Sequence, residues 1–449
     1  MTLRVAIVGG GPAGIYAADI LTKAAENGTP VSVDILERLP APFGLVRYGV
    51  APDHPRIKEI IKALQRVLAK PEVRFLGNVE YGVDVKLEDL REFYDAVVIA
   101  TGAKADRDLG IPGEELSYGA ADFVSWYDAH PDAPRSWPLD ATSVAVLGVG
   151  NVALDVARVL AKTGDEMLVT DIPEHVHEGL RAKTITDVHV FARRGPAYAK
   201  FSPLELRELN HSPNVEVIVH PEGFDVDEHG MAHIAQHKAQ KMVLNTLTSW
   251  VGADPVGKPH RIHLHFAEAP VAITGEDGRV TSLRTERTHS PLADGDVEGT
   301  GEFTDWEVQG VYRAVGYRST ALPGLPFDDR RAVIPNDGGR VLDLDGDPIP
   351  GTFVTGWIKR GPVGLIGHTK SDAAETVGHL LADTTPTATA RRPEDVDAYF
   401  AERDVEVATH TSWELLDAHE VALGEAAGRA RVKVAEREEM LRIGRHLSS

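Results

Sequence analysis

Cysteine is missing altogether from these 449 residues. Its absence excludes disulfides, a redox-active dithiol, thiolate-ligated zinc and an all-cysteine iron–sulfur cluster carried in this chain. If the protein moves electrons, the centre must be something else. Also missing is any apolar run near the ~18 residues that cross a bilayer, so no membrane span is expected. Positive charge is scarce: 47 Lys and Arg against 68 Asp and Glu give a formal net charge of −21. That argues against a nucleic-acid partner. It leaves an acidic protein partner open, because a local basic patch outweighs a distant, screened field. No solenoid-type repeat, low-complexity tract or metal-ligand pattern is read. The apolar fraction of 43% and charged fraction of 26% are ordinary for globular proteins, and the length allows about two to three domains. The first strand starts at once, leaving no room for a signal peptide, and the expected location is the cytoplasm.

What is present begins with LRVAIVGGGPAGIYAADILTKA. A strand over residues 3–8 meets Gly9-x-Gly11-x-x-Gly14, then a helix with apolar periodicity over residues 12–25. A second strand, VSVDILE, ends in Glu37. Gly9 permits a tight turn, Gly11 lets backbone approach a pyrophosphate, and Gly14 lets helix pack on strand. The helix N-terminus faces the negative charge, and Glu37 can accept hydrogen bonds from a ribose diol. The second unit is SVAVLGVGNVALDVARVLA, with Gly148-x-Gly150-x-x-Ala153 in the same place. Its next clear strand, DVHVFARRGP, ends in Arg193 and Arg194 instead of an acid. A carboxylate there would repel the 2′-phosphate of NADP, whereas two guanidiniums bind it through charge-assisted hydrogen bonds. The simplest pairing is FAD in the first unit and NADP(H) in the second, with hydride passing between nicotinamide and flavin. The bland readings are a coincidental glycine turn and a solvated basic turn.

Organisation follows from these units. YDAVVIATGA (residues 94–103) reads as an apolar strand where the chain leaves the first domain, and GVYRAVGYRS (310–319) as its return. The expected fold is α/β, with two Rossmann-like dinucleotide-binding domains, the second inserted in the first. The boundaries are 1–103 and 319–449 for the FAD domain and 104–318 for the NADP domain. Residues 128–141 read as a Pro- and charge-rich approach, and 220–305 as polar and strand-like. The segment GTFVTGWIKRGPVGLIGHTKSDAAETVGHLLA reads as a strand, a glycine-rich bend and a helix from about Thr369. Gly367, His368 and Thr369 would then face the electron-rich pyrimidine edge of a flavin. The tail from Pro393 reads as a surface appendage.

Four stretches carry a resemblance: RLPAPFGLVRYGVAPDHP, GVGNVALDVARVLA, RRGP with SPLELREL, and GWIKRGPVGLIGHTKSDA. In this order they resemble the adrenodoxin-reductase type of ferredoxin–NADP⁺ reductase, including its bacterial members, over nearly the whole chain. The resemblance implies FAD contacts from Ala13, Glu37, Leu45, Val79, Trp357, Gly364, Leu365 and Ile366. It implies NADP contacts from Arg107, Val149, Gly150, Asn151, Val152, Arg193, Arg194, Glu205 and Gly364. Val149 departs from the pattern, which carries a polar Gln or Asn there; backbone amides remain to bind pyrophosphate. His54 and Glu208 are implied as a proton-handling pair near the nicotinamide, with an orienting structural hydrogen bond as the alternative. Within the apolar loop PFGLVRYGVAPDHPRIK (42–58), Pro42 to Pro55 would lie along the isoalloxazine as a dry, rigid wall, with a hydrophobic loop packed on the core as the compatible alternative.

The implied activity is hydride transfer from NADPH to FAD, then single electrons to a separate ferredoxin-type iron–sulfur protein. Hydride transfer is mainly positioning, and no nucleophile or triad is read. Arg207, Lys238 and Lys241 are candidates for the partner's docking face, the last two spaced three apart on a helix-like run, HIAQHKAQKMVLNTLTSW (233–250). Rival readings are a flavoprotein reductase subunit related to the small chain of glutamate synthase, whose class brings cysteine-ligated clusters, a monooxygenase, and a redox sensor that binds NADP and FAD without turnover.

Overall fold

The computed structural model describes residues 1–26, 28, 30–289, 296–363, 366–386 and 395–445, with Ile366 described by its backbone alone. The chain forms two compact units. One comprises Met1–Ala105, Asp128–Asp132 and Tyr317–Ser449, the other Asp106–Tyr127 and Ala133–Gly316. The fold is α/β, with the second nucleotide-binding unit inserted in the first.

The first unit is built on a seven-stranded sheet. Its central strands Leu3–Val8, Val31–Glu37, Ala96–Ile99 and Val73–Gly77 are parallel, and Pro348–Val354 joins Ala96–Ile99. These strands read as near-continuous apolar runs because a parallel sheet is covered on both faces. Val5, Ile7, Val33, Ile35 and Val98 lie in a core on one side; Ala6, Val8, Val97 and Ile99 lie in a core on the other. Helix Pro12–Glu26 and helix Ile366–Asp383 cover the first side, supplying Ile15, Leu21, Ala373 and Val377.

Two expectations for this unit are corrected. Helix Ile366–Asp383 starts about a turn earlier than its sequence signal, so Gly367, His368 and Thr369 lie within its first turn. The tail is not a surface appendage. Helix His410–Ala426 buries Trp413 and Leu416, and Met440 and Ile443 follow them into the core. Burial of a Trp and a Leu contributes roughly 1.5–3 kcal/mol each before entropy, so this tail is part of the unit's foundation. Asp128 shows why a short excursion belongs here. Its fully buried carboxylate accepts from Lys433 Nζ at 2.9 Å, and a buried charge needs such a partner.

The second unit carries a six-stranded sheet in the order Tyr118–Gly119, Gly310–Arg313, Ser143–Leu147, Asp187–Ala192, His260–Phe266, Val215–Val219. A three-stranded antiparallel sheet follows, formed by Glu268–Glu276, Arg279–His289 and Glu298–Trp306. Within the stretch 220–305, read as polar and strand-like, helix Glu228–Gln236 is a correction, while helix Lys238–Trp250 lies in the run over 233–250 read as helix-like. Their apolar positions Ile234, Val243, Leu244 and Leu247 recur at helical spacing and are buried. His237 separates the two helices, its backbone outside the helical region at φ −124°.

Candidate functional site

Parallel register places each glycine turn beside the end of the next strand. In the first unit Val8 pairs with Leu36, so the turn opens next to Glu37. The Gly9 N–H donates to the Leu36 carbonyl at 2.8 Å, and the Ala100 N–H to the Val8 carbonyl at 2.8 Å. Gly9 has φ +119°, and a Cβ there would lie 2.5 Å from the Ala100 oxygen. At Gly14 a Cβ would lie 2.1 Å from the Gly9 oxygen. Space therefore requires both glycines, and backbone conformation requires Gly9 as well. Gly11 is different, with only the Gly44 Cα within 4 Å of an added Cβ. Its place is open backbone at the mouth of a long helix, the shape a pyrophosphate needs.

Glu37 faces that mouth. Its carboxylate accepts from the Gly10 N–H at 2.7 Å and from the Leu39 N–H at 3.1 Å. Burial raises its pKa against the pull of those amides. Each oxygen keeps a further lone pair, so two ribose hydroxyls can still be accepted. Val79 is buried next to it and its N–H donates to the Glu37 carbonyl at 2.9 Å. Ala13 sits at the head of helix Pro12–Glu26; a Cβ on Gly356 would come within 2.7 Å of its own Cβ. Gly356 leads into the short helix Trp357–Arg360, where Trp357 is half-buried. Asp372 fixes this bend, accepting from the Gly356 N–H at 2.6 Å and the Thr355 hydroxyl at 3.2 Å. Gly364, Leu365 and the Ile366 side chain lie outside the described residues.

The loop over residues 42–58 departs from expectation. It contains two short helices, Leu45–Tyr48 and Pro55–Lys58. Phe43, Val46 and Tyr48 do not form a free apolar wall; they are buried in the core. Phe43 meets Trp413 edge-on at 5.4 Å. Leu45 and Val50 are half-exposed and remain able to meet a ligand. Arg47 is buried too, donating to Glu420 at 2.9 Å, while Lys433 Nζ donates to the Arg47 carbonyl at 2.8 Å. Sequence reasoning missed this clamp, since nothing local links Arg47 to residues so far along the chain.

The second unit repeats the backbone geometry. The Gly148 N–H donates to the Phe191 carbonyl at 3.0 Å, and the Ala314 N–H to the Leu147 carbonyl at 2.8 Å. Gly148 has φ +138°, and a Cβ there would lie 2.2 Å from the Ala314 oxygen. Nothing lies within 4 Å of a Cβ built on Gly150. Ala153, fully buried, stands where the first unit has Gly14. Val149 offers its carbonyl to the Lys200 N–H at 2.9 Å, as Gly10 does to the Phe43 N–H at 2.8 Å. Asn151 Oδ1 accepts from the Ser202 N–H at 2.8 Å, so that side chain already serves the protein, and Val152 is half-buried beside it.

Leu147 pairs with Phe191, which brings Arg193 and Arg194 to this cradle. Arg193 is exposed, its carbonyl held by the Thr288 hydroxyl at 2.7 Å. The Arg194 guanidinium lies over the Tyr198 ring at 5.9 Å. Its Nε is buried and has no hydrogen-bond partner among the described residues. A buried donor left unmade is costly, and an arriving phosphate oxygen would satisfy it. Glu205 is buried with Arg158 Nη1 at 3.9 Å, and Arg158 donates to Asp155 at 2.8 Å. Arg107 is exposed, its N–H bound to the Gly316 carbonyl at 3.0 Å.

His54 belongs to the first unit. It is buried directly ahead of helix Pro55–Lys58, and its N–H donates to the Ala51 carbonyl at 3.0 Å. Glu208 belongs to the second unit and ends helix Pro203–Glu208, which Ser202 caps by accepting from the Glu205 N–H at 3.2 Å. Arg207, Lys238 and Lys241 are exposed.

Comparison with known proteins gives a consistent answer. Residues 3–218 match the model of the pyridine nucleotide-disulphide oxidoreductase family. The chain is 42% identical to the NADPH-ferredoxin reductase FprA of Mycobacterium tuberculosis, covering 98% of each chain. It is 37% identical to the mitochondrial NADPH:adrenodoxin oxidoreductase of Arabidopsis thaliana, covering 98% of this chain and 95% of that one. The structure of M. tuberculosis FprA in complex with NADPH superposes with a TM-score of 0.92 at 41% identity, over 99% of this chain and 100% of the other.

Proposed function

This chain belongs to the adrenodoxin-reductase type of NADPH–ferredoxin reductase, and from that premise we propose how its residues divide the work. Residues 1–103 and 319–449 form the FAD domain and residues 104–318 the NADP domain. The chain takes reducing equivalents from NADPH and delivers them to a separate ferredoxin-type iron–sulfur protein. That partner must be separate, because a chain without cysteine cannot hold an all-cysteine cluster. When bound, FAD supplies the chemistry that turns one hydride into two single-electron deliveries.

The chain's own residues bind, orient and exclude water. Gly9, Gly11 and Gly14 let backbone approach the FAD pyrophosphate, and Glu37 accepts its ribose hydroxyls. Ala13, Leu45, Val79, Trp357 and the stretch Gly364, Leu365, Ile366 line the rest. In the second unit Gly148, Val149, Gly150, Asn151 and Val152 present backbone to the NADP pyrophosphate. Arg193 and Arg194 bind the 2′-phosphate, with Arg107 and Glu205 assisting. Glu205 does so while tied to Arg158, which fixes its orientation. His54 and Glu208 handle a proton near the nicotinamide; a Glu208→Gln variant with an unchanged pH profile of NADPH-dependent flavin reduction would remove that role. Arg207, Lys238 and Lys241 form the docking face, and salt-insensitive reduction of the partner would argue against it. The enzyme works in the cytoplasm; fractionation of the source cells tests this.

One observation carries the reading: two cradles of matching backbone geometry end in opposite charge, Glu37 in one and Arg193–Arg194 in the other. The deciding experiment mixes the anaerobic yellow protein with NADPH or NADH. Rapid loss of the oxidised flavin band with NADPH and slow loss with NADH are expected. Equal rates would refute the 2′-phosphate assignment, and a colourless protein after reconstitution would refute the whole.

A further inference from the structure

A parallel sheet is normally apolar on both faces. One face of the second unit's sheet obeys: Val188, Val190, Ile262, Leu264 and Val219 are buried. The other face carries Asp187 and His189 on one strand, Arg261, His263 and His265 on the next, and His220 after the third. His263 is in register with His189 and His265 with Phe191.

The four imidazoles form a two-by-two raft. His189 Nδ1 lies 3.0 Å from His265 Nε2, and His220 Nε2 lies 3.1 Å from His263 Nδ1. Rings within these pairs are tilted by 21° and 25°. The pairs stack, His189 on His263 at 4.4 Å and His220 on His265 at 4.3 Å. His263 turns its Nε2 to Asp187 Oδ1 at 2.9 Å, and Trp306 covers His265 at 4.6 Å. Cofactor binding uses none of these residues.

Each nitrogen–nitrogen contact suits one shared proton, with one ring nitrogen donating and the other accepting. The 3.1 Å between His220 Nε2 and His263 Nδ1 is near the spacing of neighbouring ligands on a metal with bonds of ~2.0–2.1 Å, and an ion would replace the hydrogen bond as the two rings turn from head-on alignment toward it. The Asp187 contact is the carboxylate–histidine arrangement that fixes which ring nitrogen meets a metal. The charges acting on the raft are Asp187, Glu216 and Glu222 against Arg261 and Arg287.

We propose that this raft binds a borderline divalent cation of the Zn²⁺ type, with His263 Nδ1 and His220 Nε2 as ligands and Asp187 as the orienting carboxylate. His220 then carries its proton on Nδ1, and water fills the remaining positions, since His220 and His263 keep some exposure. Imidazole ligands without thiolate suit zinc, copper and nickel.

The test titrates the oxidised holoprotein with Zn²⁺ against a chromophoric chelator at pH 7.5. One equivalent is expected to bind in the wild type and to be lost in His220→Gln/His263→Gln. Asp187→Asn should weaken it about 10- to 100-fold. Flavin content and NADPH-dependent dye reduction should stay unchanged, which separates metal loss from misfolding. Should the double variant not fold, His220→Asn alone removes one ligand from the open end of the raft. Identical zinc isotherms for wild type and the folded variant would overturn the proposal.

Discussion

In the first cradle the chain comes back over the turn. Gly44 stands over Gly11, and the loop is pinned by Phe43 against Trp413 and by Arg47 against Glu420. In the second, Lys200 makes the hydrogen bond equivalent to that of Phe43, yet among the described residues nothing lies within 4 Å of a Cβ built on Gly150. The backbone operation is shared and the roof is not. On the assignment proposed above, the roofed cradle would retain FAD and the second would exchange NADP(H). That is the division a reductase needs between a resident flavin and a pyridine nucleotide that turns over. The roof also explains why the first unit recruits a distant tail, while the second backs its turn only with the nearer Lys200 segment.

The largest expected effects come from removing the shared operation. Gly9→Ala and Gly148→Ala each place a Cβ against a carbonyl at a positive φ, combining strain and overlap of about 1–3 kcal/mol each. Gly9→Ala should give protein without FAD. Gly148→Ala should stay yellow and lose reduction by NADPH. Flavin loss from both variants would break the comparison.

Next is the roof. Glu420→Ala strands a buried guanidinium, a change costing about 3–5 kcal/mol. Flavin release on heating should begin at lower temperature, while the affinity for 2′,5′-ADP stays the same. A release curve matching wild type would show that the clamp is not what retains the flavin.

Arg193→Ala/Arg194→Ala removes charge-assisted hydrogen bonds of about 1.5–3 kcal/mol each. The NADPH-to-NADH ratio of kcat/KM should fall at least about tenfold, with flavin content unaffected. An unchanged ratio would move 2′-phosphate recognition elsewhere.

Acid should distinguish the units as well. A histidine with a depressed folded pKa loses stability as pH drops below its unfolded value of ~6.5, down to the folded value. The second unit has His189 at about 4 and His265 at about 2, with His220 and His263 also lowered. The first has His130 at about 4. Asp106, raised to about 7 by burial, works the other way in the second unit, since its cost fades as pH falls. At pH 5 one such histidine costs about 2 kcal/mol, and the paired ones titrate together. Hydrogen exchange should show the second unit's sheet opening first as pH falls from 6.5 to 4. Earlier opening of the first unit would contradict this.

The smallest change sharpens the second cradle. Val149→Asn adds one side-chain hydrogen bond worth about 1 kcal/mol, so the KM for NADPH should fall severalfold with kcat unchanged. No change in KM would mean that backbone alone serves that position.

Both turns, the opposite charges and the insertion were legible because each rests on short-range pattern. Glycine spacing, apolar strands and the residue ending the next strand lie within one βαβ unit. The loop over residues 42–58 was legible as rigid and apolar, and of its two compatible readings, a wall on the ligand or packing on the core, Phe43, Val46 and Tyr48 follow the second. Phe43, Val46 and Tyr48 turn inward because Trp413 waits there, and no local signal announces a partner so distant in sequence. The tail misled for the same reason: its charges suggested surface, but Glu420 and Lys433 are buried against Arg47 and Asp128. Helix Lys238–Trp250 was legible as a helix-like run, whereas the start of helix Glu228–Gln236 was obscured by polar composition, its apolar positions being few.

Sequence alone settled which backbone positions must be glycine and which charge ends each second strand, since sterics and electrostatics act between near neighbours there. Only the tertiary structure decided which cradle is roofed, where Arg194 leaves a donor unmatched, and that four histidines from three strands meet face to face. Those depend on contacts between segments far apart in the chain, where burial selects the partner.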